Sequence, residues 1–207
     1  MTVEHFYTPE KTKPVLNKLV FEEVEKVVYS IVVENEEYEK CVEASGNMWA
    51  NEKTGVYGGG MLNTKNDPRR TERIGKLGEM AFSKIFSIPI DLTYRRGGDK
   101  QDFLTSDSKK INIKTASEKK SYNCGLVKAT NDNGTKLIPL SCDIYVFAYV
   151  AYDNRDKNEA SVVVIGYMEK EEIEKKTPVP ARNKFASHLN YEVPFVELKP
   201  IKDLKFA

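Results

Sequence analysis

The stretch "DIYVFAYVAY", residues 143–152, constrains the fold more than any other part of the chain. It is rich in β-branched and aromatic residues and apolar at both odd and even positions. Such a strand must be covered on both faces, so it belongs in the middle of a sheet with a layer on either side. The turn "NRDKN" then leads into "SVVVIGYM", a second strand, followed by a short helix at "EKEEIEKK". The tail "YEVPFVELKPIKDL" reads as a final strand and a capping turn. A length of 207 residues, with 40% hydrophobic and 30% charged residues, supports one globular domain, or one with a small appendage.

The N-terminal third carries apolar residues at helical spacing. Val20, Val24, Val27, Val28 and Ile31 recur, and Tyr38, Cys41 and Val42 continue the pattern, so residues 15–50 are expected to be mostly helical. The run "VVYSIVV" within it fits a strand equally well. A glycine-rich loop containing Gly58 to Gly60 follows. A helix is then expected from Asp67, a good N-cap, and Pro68, which suits a first turn. Ile74, Leu77, Ala81, Phe82 and Ile85 form its apolar stripe, and Pro89 marks its end. Arg69, Arg70, Arg73 and Lys76 are expected on the opposite, solvent side. Glu79 falls roughly 120–140° from the centre of the stripe at 100° per residue, on the border between core and solvent. Short strands are expected at 92–95, 103–105 and 111–115, the last two joined by the polar turn "SDSKK". Residues 117–141 are polar and show no period. The resulting division is an N-terminal helical region and loop, 1–66, packed on a core of 67–207.

Net charge is +1, but it is unevenly distributed. Residues 61–128 carry 15 basic and 8 acidic side chains, whereas residues 1–60 carry 6 and 11. A concentrated basic segment is the electrostatic footprint of a polyanion site. Cys41, Cys124 and Cys142 have no metal-ligand spacing, and their odd number fits a reducing compartment. With no apolar signal core and no apolar run of about 20 residues, a cytoplasmic protein without a membrane span is expected.

Within the basic segment, three chemically active residues share one hairpin. Asn112 and Lys114 are two apart, so they lie on one face of their strand, while Ile111 and Ile113 face the core. Asp102 opens the neighbouring strand, within reach across the ladder. Glu79 can approach from the helix.

This order resembles the PD-(D/E)XK nuclease superfamily, whose pattern is an acidic residue on a helix, Asp at a strand start, and (Asp/Glu)-x-Lys on the next strand. The corresponding stretches are Glu79 in "GKLGEMAF", Asp102 in "GGDKQDF" and Asn112-Ile113-Lys114 in "INIKT". The resemblance covers roughly residues 67–205. It implies an α/β (α+β), restriction-endonuclease-like fold: a mixed central sheet flanked by helices. It also implies a crossover helix, and residues 117–141 show no helical period to supply one. The implied activity is Mg²⁺-dependent DNA endonuclease, with Mn²⁺ as a substitute ion. Asp102 would be the central metal ligand, Glu79 a direct or outer ligand, the Ile113 carbonyl a further ligand, and Lys114 the catalytic amine. Hard cations favour such oxygen donors. Two positions depart from the pattern. Gln101 stands where the family has proline, and Asn112 replaces the usual acid, offering an oxygen but no charge. Arg69, Arg70, Arg73, Lys76, Arg95, Arg96, Lys119 and Lys120 are the expected DNA contacts. A homodimer would suit cleavage of both strands of a symmetric site. The alternative is a DNA-binding or interaction protein on the same fold, with an attenuated site at Asn112.

Overall fold

The computed structural model describes residues 6–7, 15–21, 24–51, 70–93, 101–117, 123–181 and 186–206. In chain order these form β1 (Phe6–Tyr7), β2 (Val15–Phe21), β3 (Val24–Glu34), α1 (Asn35–Asn51), α2 (Arg70–Phe86) and β4 (Ile90–Asp91). Next come β5 (Phe103–Leu104), β6 (Lys110–Ser117), β7 (Cys124–Lys128), β8 (Ile144–Asn154) and β9 (Glu159–Glu169). The chain closes with α3 (Lys170–Ile173), β10 (Val179–Pro180), β11 (Leu189–Pro194) and β12 (Lys199–Pro200).

The main sheet has seven strands in the order β2-β3-β9-β8-β6-β5, with β12 also paired to β9. It is mixed: β6 and β8 run parallel, and the other pairs are antiparallel. β8 takes the central place that its sequence requires, because Ile144 to Ala148 are all buried. Alternate β8 residues feed two cores. Ile144, Val146, Ala148 and Val150 pack with α1 and α2 residues such as Tyr38, Leu77 and Phe82. Tyr145 and Phe147 pack with Val127, Tyr191, Val193 and Ile173, which come from β7, β11 and α3. A small sheet, β10-β11-β7, therefore covers the face opposite the helices. The architecture is α+β, a mixed sheet flanked by few helices. Among the described residues, no helix is long and apolar enough to cross a membrane.

The N-terminal third differs from the sequence expectation. Residues 15–34 form the β2–β3 hairpin, and helix begins only at Asn35. β3 also pairs with β9 from Glu34↔Glu159 to Tyr29↔Val164, so this segment is part of the central sheet and not a separate helical layer over a 67–207 core. The cause is burial on both sides. Val28 enters the core shared with the small sheet, while Ile31 and Val33 enter the helix-side core. Apolar residues on both faces blur the two-residue period and mimic helical spacing.

α2 follows its predicted stripe. Leu77, Ala81 and Phe82 are fully buried, each large side chain contributing about 1.5–3 kcal/mol over exposure. The helix stops at Phe86; Ser87 turns left-handed (φ 54°), and the Ile88 N–H caps the Ser83 carbonyl at 3.2 Å. Its expected start at Asp67 and Pro68, like Gly58 to Gly60, lies outside the described residues. The strand expected at 92–95 is found earlier, at β4, which pairs with β1. Between β6 and β8, the described residues contain β7 in place of a crossover helix.

Candidate active site

The site is built on the β5–β6 hairpin. Phe103 pairs with Ile111 and Leu104 with Lys110, and β5 ends there, so β6 continues alone along that edge. The same register, extended by one residue, sets Asp102 opposite Asn112. The Asp102 N–H donates to the Ile111 carbonyl (2.9 Å), and its carboxylate Oδ2 accepts the Ile113 N–H (2.6 Å). Asp102 thus substitutes for the next rung of the ladder. In an extended strand, N–H and C=O of one residue point the same way, so the Ile113 carbonyl also emerges on this edge.

The two faces of β6 are chemically distinct. Ile111 and Ile113 are buried in the helix-side core. Asn112 and Lys114, by alternation, lie on the other face, beside Tyr145 and Phe147 of β8 in parallel register. Burial pushes the Lys114 ammonium below the usual lysine range, and the charges of Asp102, Cys142 and Glu79 oppose that shift. The Asn112 Oδ1 atom is buried and has no hydrogen-bond partner among the described residues. An orphaned buried oxygen is costly unless something is meant to meet it.

Glu79 stands on α2, which lies tightly on the helix-side face of β6, the face opposite Asn112 and Lys114. A Cβ on Gly78 would come within 1.8 Å of the Thr115 hydroxyl, so only glycine permits the approach. Glu79 is buried, and its Oε2 accepts from the Lys76 ammonium at 2.7 Å. Helical spacing of three residues makes this pairing natural.

Asp102, the Asn112 amide oxygen and the Ile113 carbonyl are oxygen donors of the kind a hard cation takes, and Glu79 stands apart from them on the helix side of β6. The set is lean in charge. Among the described residues, no three His, Cys, Asp or Glu side chains are grouped to hold a metal ion.

The expected DNA contacts divide into three groups. Arg70 is partly buried at the start of the described helix. Arg73 and Lys76, expected on the solvent side, are instead buried, with exposures of 3% and 8%. Arg73 donates to Asp153 (2.8 Å), which also accepts the Tyr38 hydroxyl (2.6 Å), and Lys76 holds Glu79. Lys84 is likewise buried, paired with Glu37 of α1. α1 covers the flank of α2 that the sequence pattern leaves to solvent. Arg69, Arg95, Arg96, Lys119 and Lys120 lie outside the described residues.

Sequence reasoning missed two participants. Cys142, fully buried, precedes β8 and lies near Lys114; no spacing signal marks it. Lys76 was visible as a neighbour of Glu79 three residues away, but its basic companions suggested a phosphate contact instead. Compared with known protein families, with curated proteins and with solved structures, the chain shows no significant match.

Proposed function

We propose that the protein is a divalent-cation-dependent DNA endonuclease of the restriction-endonuclease-like, PD-(D/E)XK type. The observation that supports this reading is the placement of Asp102 beside β6, bonded to the Ile113 N–H between Asn112 and Lys114, with the Asn112 oxygen buried and unpartnered among the described residues. The order of elements supports it too: an acid-bearing helix, a hairpin, then a strand parallel to the second hairpin strand.

In this reading Asp102, the Asn112 amide oxygen and the Ile113 carbonyl would hold Mg²⁺ or Mn²⁺, with Glu79 as a direct or outer ligand. A bound ion supplies Lewis acidity toward the scissile phosphate and makes water a better nucleophile. Asp102, fixed by the Ile113 N–H, sets the position of the scissile group along the β6 edge. Lys114, whose proton is loosened by burial, orients the attacking water and offsets the negative charge that develops on the phosphate. Arg70 and the basic residues flanking the hairpin provide phosphate contacts, and a homodimer would bring two such sites to one duplex.

The test is plasmid cleavage with and without Mg²⁺ for the wild type and Lys114→Ala. Loss of a positioned charge-stabilising group costs about 10²–10³ in rate, so Lys114→Ala should be nearly inactive. Cleavage that survives that substitution overturns the mechanism. The second reading, a DNA-binding protein that does not cut, is favoured by the neutral amide at Asn112. It predicts DNA binding without cleavage or Mn²⁺ binding.

A further inference from the structure

The tip of the β5–β6 hairpin has more internal order than a solvent turn needs. Thr105 is its hub and is only 7% exposed. Its N–H donates to the Lys109 carbonyl (3.0 Å), its carbonyl accepts the Ser108 N–H (2.9 Å), and its hydroxyl oxygen accepts the Lys109 N–H (2.9 Å). The same hydroxyl donates to the Asp107 carboxylate. Ser108 closes the turn in the left-handed region (φ 64°). Around this hub, Leu104 and residues 106–109 are exposed. A ribbon fixed before it meets a partner loses little freedom on binding.

Leu104 does not serve the core. Its neighbour Phe103 packs on Phe82 in the helix-side core, with ring centroids 4.9 Å apart, whereas Leu104 is 54% exposed. It pairs with Lys110, so it lies on the face that Asn112 and Lys114 share on β6. Asp102 is two residues away, about 7 Å along an extended strand. Charge cancels at the tip itself, where the Lys109 ammonium pairs with Asp107 at 3.4 Å. A phosphate clamp needs uncompensated cations. An apolar side chain flanked by the hydroxyls of Ser106 and Ser108 suits base edges instead. The major groove, about 12 Å wide, admits a two-stranded ribbon, and of the four bases thymine alone presents a methyl group there.

We propose that the β5–β6 tip is a base-reading element that enters the major groove beside the candidate site, with Leu104 packing against a thymine methyl group. The inference rests on the reading that this hairpin meets DNA, and it holds whether the protein cuts DNA or only binds it. Register then links reading to position: a thymine under Leu104 sets which phosphate lies beside Asp102. Thr105 positions the element through the backbone of the turn and touches no base.

The test begins by selecting the duplexes that the full chain prefers from a random-sequence pool in EDTA. The selected duplex is then made with thymine or with uracil, which lacks only the methyl group, and titrated by fluorescence anisotropy. Wild type should bind the thymine duplex about fourfold more tightly, the worth of burying one methyl group. Leu104→Ala should bind both duplexes alike, at the level wild type shows for uracil. Leu104→Met keeps an apolar side chain of similar volume and should keep the preference. Leu104 is exposed, so Leu104→Ala should unfold at the wild-type temperature. If it does not fold, Leu104→Ser decides by the same criterion. Equal binding of the two duplexes by wild type, or a thymine preference that survives the loss of Leu104, overturns the inference and leaves DNA binding standing. Failure of wild type to bind any duplex removes the DNA reading itself, and the inference with it.

Discussion

The two sides of β6 are made for different ends. Toward the helices, Ile111 is fully buried, Ile113 nearly so, and Thr115 lies against Gly78 at a distance only glycine allows. Toward the small sheet, the same strand presents Asn112 with an unpartnered oxygen and Lys114 with a loosened proton. Among the described residues each side holds one buried oxygen without a partner, Thr115 Oγ1 toward the helices and Asn112 Oδ1 toward the small sheet, but only the second side adds an ammonium group. One strand delivers both because its side chains alternate, which places the reactive pair on a rigid support.

The largest expected effect compares neighbours. Ile111→Ala should cost about 2–5 kcal/mol in chemical denaturation, the range for emptying a packed core position. Asn112→Leu, one residue away, should be neutral or stabilising, because it removes a buried oxygen that has no partner. Equal losses at both positions would break the distinction between the faces. Next in size is Gly78→Ala. In an ordinary helix interior that change gains about 1 kcal/mol. Here the new methyl meets the Thr115 hydroxyl, so a net loss of about 1–3 kcal/mol is expected, recovered by adding Thr115→Gly. A stabilised Gly78→Ala protein would show that α2 can ride higher on β6 than described.

Asn112→Asp sharpens the comparison from the reactive side. It restores a charged donor, and Mn²⁺ binding measured by calorimetry should tighten about tenfold, or 1.4 kcal/mol, while stability in EDTA falls. The smallest effect is in pH. Burial places the folded pKa of Lys114 below its unfolded value of about 10.4. Between those two values the unfolded chain holds a proton that the folded chain has released, so stability rises with pH across that window. Urea midpoints taken from neutral to alkaline pH should therefore climb more for wild type than for Lys114→Met. Parallel curves would show Lys114 to be an ordinary solvated lysine.

The hairpin, β8, β9 and the stripe of α2 were legible because each is governed by local pattern. Asp102, Asn112 and Lys114 could be set on one face from alternation alone. What escaped was set by partners distant in sequence. β3 is covered on one face by α1 and α2 and on the other by residues of β7 and β11 far along the chain, so its two-residue period was hidden. Arg73 and Lys84 looked solvated because nothing local reveals that Asp153 and Glu37 will neutralise them. Lys76 was misassigned for a simpler reason. A cation one turn from a carboxylate on a helix is normally a surface pair, and the packing of α1 along this flank of α2, where the Cys41 thiol meets the Lys76 carbonyl, turns it inward.

The pairing of β3 with β9 has a practical corollary for anyone trimming this chain. A fragment starting at residue 67 would keep every side chain of the candidate centre yet strip a long run of backbone hydrogen bonds from β9. That bare flank, lined by Val162 and Val164, would invite strand addition by any passing copy. Insolubility of such a fragment would report a lost neighbour, and would say nothing against the chemistry of the hairpin.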